Sequence, residues 1–362
     1  MKKIYYIVVV FAILFLAGCG DGIDLPGVNV ETDLNKIPLP DNNVNLEQVE
    51  LKPSTEPMLH EGLHTEEDFQ RIRDKKAAGE EPWVSAYQLL VESQFSQKTA
   101  DTYPTEWIKR GVSGDENYMN AARGATIVYQ QALRWKIEQD DEYAAKAVEN
   151  LNKWVQTCVG VTGNTNLSLA AGLYGYEFAI AGELLRDYGG WDRADFAAFQ
   201  NWLLKVFYPA NDDFLKRHHD TNALHYWANW CLCNIAAKMA IGIVTDRRDI
   251  YNEGIAHLQT GDTNGRLRRA IYHDYAPDYN FAQWQESGRD QGHTLMCVGL
   301  MGIICQLAWS QGDDFFAYDD NLFLRACEYA ACCNYTNETV PYTTYIWQKQ
   351  SQWGYPIPEE QT

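Results

Sequence analysis

Between residues 117 and 335 the chain repeats one pattern four times: a long stretch with apolar residues three and four apart, a short turn, and a second such stretch. That spacing lays an apolar stripe along one side of an α-helix. The paired stretches are 117–138 with 141–158, 167–188 with 193–207, 221–244 with 247–258, and 288–311 with 319–335. The turns between partners are Gln139-Asp140, Gly189-Gly190-Trp191-Asp192, Thr245-Asp246 and Gly312-Asp313-Asp314, each able to cap the helix that follows. Longer loops, 160–166, 209–220 and 261–285, separate one pair from the next. Upstream, Thr65-Glu66-Glu67-Asp68 predicts a capped helix that stops at Gly79, and Pro82 opens another helix carrying Trp83, Tyr87, Leu90 and Val91. Strand patterns are scarce, so the expected fold class is all-α. A bundle, a solenoid of helix pairs and an α/α toroid all satisfy the pattern. Small residues crowd the first helix of several pairs, as in Ala170-Ala171-Gly172 and Gly299-Leu300-Met301-Gly302. They let backbones approach closely, which suits an inner layer.

Charge and composition narrow the function. Lys and Arg number 30 against 49 Asp and Glu, a formal charge of −19, which argues against nucleic acid because phosphate binding needs a basic surface. With 12 Trp, 22 Tyr and 13 Phe the chain is not a solvated tail. Aromatic rings are core residues first, but they also serve as platforms for sugar rings.

The N-terminus reads as an export address. Lys2 and Lys3 precede an apolar run over 4–16, short of the roughly 20 residues of a transmembrane span. Leu16-Ala17-Gly18-Cys19 matches a bacterial lipobox, in which Cys19 is lipidated. The expected organisation is a signal peptide over 1–19, a Pro- and Gly-rich flexible tether over 20–57 and one catalytic domain over 58–362, lipid-anchored at the outer membrane on its periplasmic or cell-surface face. The later cysteines, Cys158 to Cys333, sit in apolar stretches without a C-x-x-C pair and are expected to be buried free thiols.

Two polar clusters interrupt the apolar pattern. Asp220-Thr221-Asn222-Ala223-Leu224-His225-Tyr226-Trp227-Ala228-Asn229-Trp230 opens the third pair; on a continuous helix Asn222, Tyr226 and Asn229 share a face, with His225 at its margin. A capping Asn plus a hydrogen-bonded core Asn is the plainer explanation. Gln285-Glu286-Ser287-Gly288-Arg289-Asp290-Gln291-Gly292-His293 opens the fourth pair, with Arg289 and His293 four apart. Arg and His at a helix mouth suit an anionic ligand, with an Arg–carboxylate pair and a surface His as the alternative. His218-His219-Asp220 suggests a metal only weakly, and no metal or cofactor is expected. Arg266, Arg268, Arg269 and His273 form a basic knot that either draws a polyanion or is simply solvated.

Taken together, the Val206-Phe207-Tyr208-Pro209 end, Asn229-Trp230, the run from Ile241 to Arg248 and above all the run from Gln285 to His293 resemble the alginate-lyase superfamily of polysaccharide lyases, in its branch of alginate and glucuronan lyases from Bacteroidetes lipoproteins. The likeness extends over about 60–345. It implies an (α/α) toroid, left incomplete if the ring needs helices beyond Thr362, and β-elimination on a uronic-acid polymer without a redox cofactor. By resemblance Asn229 falls where the family binds the substrate carboxylate, and Arg289 where an Arg neutralises it. The family's neighbouring His falls on Trp230, a departure, and its Tyr beyond the Arg has no clean match, though His293 is nearby.

Chemistry makes sense of these residue types. Removing the C5 proton of a uronate builds charge onto its carboxylate, so fixed donors must offset that charge. His293 is the expected base and Tyr226 the acid, with His225 an alternate for either. Glu286 is expected to orient Arg289 or His293. Asn222, Gln285, Gln291, Tyr174, Tyr176 and Trp230 complete the expected substrate contacts. The expected partner is an anionic polysaccharide bound by a monomer that meets the membrane only through its lipid. A non-catalytic glycan-binding lipoprotein and a toroid glycoside hydrolase are the rivals; the latter needs two carboxylates flanking a bond. Because the chain is acidic, any polyanion site requires a local positive focus, for which Arg289 and the 266–269 knot are the candidates.

Overall fold

The computed structural model describes residues 49–336 and 339–362. The lipobox with Cys19, the signal peptide and the tether up to residue 48 lie outside the described residues. Residues 49–57, the end of the expected tether, are docked on the domain: the carbonyls of Glu56 and Pro57 accept bonds from Arg248, and that of Lys52 from Asn252.

Two helices, α1 (Glu66–Ala77) and α2 (Trp83–Glu92), precede the repeats. Thr65 and Asp68 form a reciprocal capping box on α1, as their spacing predicts. The four pairs follow: α3 (Tyr118–Glu138) with α4 (Asp141–Thr157), α5 (Leu167–Leu185) with α6 (Arg193–Val206), α8 (Ala228–Val244) with α9 (Arg248–Thr260), and α11 (Gln291–Ser310) with α12 (Tyr318–Tyr335). Most bounds fall within a few residues of the sequence expectation. Two helix starts do not: α8 begins at Ala228 rather than 221, and α11 at Gln291 rather than 288. Nor is 209–220 all loop, since it holds most of α7 (Tyr208–Arg217), with Pro209 in its first turn. A short helix, α10 (Leu267–Ala270), lies in the loop before β3.

The first helix of each pair is the inner one. α3 packs on α5, α5 on α8 and α8 on α11, while α4, α9 and α12 pack outside their partners and α6 lies against α4 and α7. All four run the same way. Ser168 and Asn234 bond across the N-terminal turns of α5 and α8, and Arg186 bonds the Ile243 and Val244 carbonyls at their far ends. Gly172 lets these two helices touch, because a Cβ there would press on Cys233. α5, α8 and α11 are buried nearly all round, so they are apolar on every side. This arrangement is an α/α toroid. Six of the free cysteines are buried in it and two half-buried.

Short strand pairs decorate the end where the inner helices begin. β1 (Trp107–Arg110) runs parallel to β2 (Gly160–Gly163). Gly163 has φ +144°, and a side chain there would overlap the Arg110 carbonyl. β3 (Ile271–Asp274) and β4 (Ala282–Trp284) form a hairpin in the 261–285 loop. β5 (Tyr345–Trp347) pairs antiparallel with β6 (Glu359–Gln361), closing a C-terminal hairpin over both polar clusters.

One buried and three half-buried titratable groups give the domain a defined pH window. Burial holds the imidazoles of His64, His218 and His257 down to about 4 and pushes the Glu177 carboxyl up to about 8. Below the ordinary histidine value of 6.5 the unfolded chain takes up three protons that the native state refuses, so stability falls as pH drops from 6.5 toward 4. Glu177 acts oppositely: its contribution is fully present below 4.5 and is lost as pH rises through about 8. Between 4.5 and 6.5 the three histidines outweigh it. Melting temperature followed against pH is therefore expected to peak near pH 6.5, and Glu177→Gln to flatten the fall toward pH 8 and to steepen the acid limb above pH 4.5. An alkaline limb unchanged in that variant contradicts this assignment.

Candidate active site

The site forms where α8 and α11 begin, and the two polar clusters meet there. Trp227, the residue before α8, offers no side-chain cap. The cap comes instead from the other cluster: Gln285 Oε1 accepts the Ala228 amide at 3.0 Å, and Glu286 Oε1 accepts the Asn229 amide at 2.7 Å. A carboxylate at a helix N-terminus is also favoured by the helix dipole. Glu286 is fully buried and accepts three further bonds, from Asn229 Nδ2 at 2.7 Å, Arg289 Nη1 at 3.0 Å and Cys297 Sγ at 3.1 Å. The turn is held from outside by the Tyr345 hydroxyl, which donates to the Gln285 carbonyl and accepts from the Gly288 amide.

This geometry revises several expectations. Asn222, Tyr226 and Asn229 do not share a helical face, because 222–227 is a turn and not the first turns of α8. The Asn222 side chain accepts the Leu224 amide, which stabilises that turn. Asn229 is 2% exposed with its side-chain amide given to Glu286, so it braces that carboxylate. Gln285 and Tyr176 are likewise buried, Gln285 as a helix cap and Tyr176 beside Glu177. Gln291 accepts from Asn334. Arg289 and His293 are not four apart on one helix: Arg289 sits in the preceding turn, and Asp290 is the N-cap of α11. Within the knot Arg268 is neutralised by Asp319, while Arg269 bonds the Asp262 carbonyl.

What remains facing outward is compact. The Arg289 guanidinium, partly exposed, lies 5.2 Å over the Trp227 ring, and Trp227 stacks on Trp347 of β5 at 4.2 Å. His293 Nδ1 lies 2.7 Å from Asp290 Oδ2. A carboxylate only accepts, so Nδ1 carries the proton, and in the neutral ring Nε2 presents a lone pair. Burial works to raise the Asp290 carboxyl, but the bonds from the His293 amide and ring outweigh it and hold the carboxyl down. His225 has the opposite polarity. Its Nδ1 accepts the Gln350 amide at 2.8 Å, so a neutral ring carries its proton on Nε2, and burial together with Lys349 lowers its pKa. His225 is thereby a hydrogen-bond donor and not a base. Tyr226 packs against Phe214, His219, His225 and Trp230, and burial raises its phenol despite a bond with Thr165.

Further along the same wall, Ser168 bonds His219, Tyr174 stacks on Tyr118 with ring centres 6.5 Å apart, and Arg110 lies 4.7 Å over Tyr118. Trp227, Trp347, Gln350, Tyr118 and Arg110 were not among the residues singled out from sequence. They come from four separate segments, and no local pattern joins them. Among the described residues no group of His, Cys, Asp and Glu side chains could hold a metal ion. A cavity of about 270 Å³ opens at the opposite end of the inner layer, among His60, His64, Tyr129 and Glu183, and none of the expected site residues lines it.

The alginate lyase family model matches residues 72–338. Among solved structures, a variant of alginate lyase A1-III complexed with tetrasaccharide is similar, with a TM-score of 0.54 and 14% identity over 76% of this chain and 79% of that one. Alginate lyase A1-III from Sphingomonas species A1 gives 0.51 and 14% over 76% and 80%. An alginate lyase from Bacteroides ovatus gives 0.51 and 14% over 75% and 81%. No curated protein matches the chain as a relative. The structural likenesses show the shared α/α-toroid fold, and the family match covers most of the chain. The chain belongs to the alginate lyase family and is a polysaccharide lyase.

Proposed function

We propose that the enzyme cleaves a polymer of uronic acid, of alginate or glucuronan type, by β-elimination at the Arg289–His293 site. The observation that carries this reading is a partly exposed guanidinium in the turn before α11 and an imidazole, with Nε2 free, in the first turn of α11, both beside the Asp290 carboxylate at 3.8 and 2.7 Å. Arg289 meets the uronate carboxylate and offsets the charge that builds on it as the C5 proton leaves. Glu286 holds the guanidinium in place, and Asn229 holds Glu286. His293 Nε2 takes the C5 proton, and Asp290 steadies the imidazolium that forms. The C4–O4 bond breaks, a C4=C5 double bond forms, and O4 takes a proton from Tyr226, with the His225 Nε2–H as a neighbouring donor. Trp230 and Trp347 offer rings against which sugar faces can stack. The alginate lyases among the similar structures support the uronate as substrate. We further propose export as a lipoprotein through Cys19.

Purified enzyme incubated with alginate, glucuronan and pectate is expected to generate the ultraviolet absorbance of an unsaturated uronate on at least one of them. On that substrate His293→Ala should lower kcat by about 10²–10⁴-fold, and Arg289→Ala by about 10²–10³-fold. Reducing ends without that absorbance contradict the elimination. Removing the carboxylate in Glu286→Ala strands a cation and a helix N-terminus, so it should also destabilise the domain by about 3–5 kcal/mol in denaturant titration. A loss below about 1 kcal/mol would contradict its bracing role.

A further inference from the structure

The tip of the C-terminal hairpin carries large apolar side chains that the elimination does not use. Trp353 is 76% exposed, Tyr355 70% and Ile357 43%. On the inward arm of the same hairpin Trp347 is instead stacked on His225 and Trp227. Single exposed apolar side chains are ordinary, but three within five residues of one projection make a patch of the kind that binds something. The hairpin lies beyond residue 338, where the family match ends.

The backbone under these rings is tied down. The Ser351 amide donates to the Tyr355 carbonyl at 2.8 Å and the Gly354 amide to the Ser351 carbonyl at 2.9 Å, while the Ser351 hydroxyl accepts the Trp353 and Tyr355 amides at 3.3 and 3.0 Å. Gln350 then joins the tip to the reaction site. Its Nε2 donates to the Gly354 carbonyl at 2.7 Å, its Oε1 accepts the Asn222 amide at 2.7 Å, and its own amide donates to His225 Nδ1 at 2.8 Å. Three residues separate Gln350 from Trp353, at most about 10 Å of chain. A platform fixed in this way loses little freedom when a ligand arrives.

Size selects the occupant. Two aromatic rings offer about 300–500 Å², well short of the roughly 800 Å² that each partner gives to a stable protein interface. They do match sugar rings, whose flat C–H faces are of aromatic dimensions, and the exposed amide side chain of Gln352 stands in the same turn. We infer, resting on the elimination site proposed above for the identity of the polymer, that Trp353 and Tyr355 form a stacking platform for sugars of the chain beyond the reacting one, past the Asn222 turn. Stacking reads the face of a ring and not its carboxylate. The platform therefore adds affinity for longer chains without demanding a uronate at that position.

The test compares wild type, Trp353→Phe and the double variant Trp353→Ala with Tyr355→Ala on alginate, glucuronan and pectate. On the polymer that is cleaved, the double variant is expected to raise KM by on the order of 10-fold with kcat and melting temperature nearly unchanged, and Trp353→Phe to keep most of the wild-type KM. Binding without cleavage is read by retardation in native gels containing each polymer, in a His293→Ala background with and without the double change. Retardation lost with the two rings supports the platform. An unmoved KM with unmoved retardation, or a loss confined to kcat, overturns it. So does a wild-type dimer in sedimentation that the double variant dissociates, or ring-dependent binding to phosphatidylethanolamine–phosphatidylglycerol vesicles without ring-dependent retardation, since the occupant is then a second copy or a lipid surface. If a polymer retards the protein through these rings but no unsaturated product forms on any of the three, the platform stands and the elimination fails. If product forms while KM and retardation ignore the rings, the platform fails alone.

Discussion

The buried carboxylate of Glu286 is the joint on which the active end of the toroid depends. One side chain caps α8 through the Asn229 amide, receives the Asn229 side chain, anchors Arg289 and accepts the Cys297 thiol of α11. It therefore ties two neighbouring inner helices and the turn between β4 and α11 into one rigid unit. Burying a charge this completely is unfavourable unless it is bonded on every side, and here it is. The reward is an arginine whose direction is set before any ligand arrives. Preorganisation of that kind is what electrostatic stabilisation of a developing charge requires.

Around this joint the chain divides labour between two histidines by hydrogen-bond polarity alone. His293 donates from Nδ1 to Asp290 and keeps a lone pair outward. His225 accepts at Nδ1 from the Gln350 amide and keeps a proton outward. Two identical side chains at the same end of the toroid are thus set with opposite polarity, one with a lone pair outward in its neutral form and one with a proton outward. The C-terminal hairpin makes this possible, since Gln350, Trp347 and Tyr345 all reach back onto the two clusters.

The helical pairs were legible because apolar periodicity is a local signal that survives without tertiary context. The bounds of α3 and α4 and the start of α5 follow from it almost to the residue. The start of α8 was not legible, because its cap comes from Gln285 and Glu286, 57 residues downstream, and no Ser, Thr, Asp or Asn precedes Ala228 to announce it. That error carried Asn222 and Tyr226 onto a helix face they do not occupy. The importance of the 285–293 run was visible in its density of polar residues before an apolar helix, and so was Glu286 as a partner of Arg289. The orientation of Asn229 was not, since burial depends on what packs over it. Arg110 and the β5–β6 hairpin escaped notice because strands of three or four residues leave almost no pattern.

The fate of one hydrogen distinguishes elimination at this site from every hydrolytic alternative. A homouronate polymer deuterated at C5 can be digested in ordinary water and its new chain ends followed by mass spectrometry. If His293 removes the C5 hydrogen beside an Arg289-bound carboxylate, each cleavage yields an unsaturated end that has lost its deuterium, and turnover is slower than on the undeuterated polymer. Saturated ends that retain deuterium at C5, formed at an unchanged rate, would contradict the account.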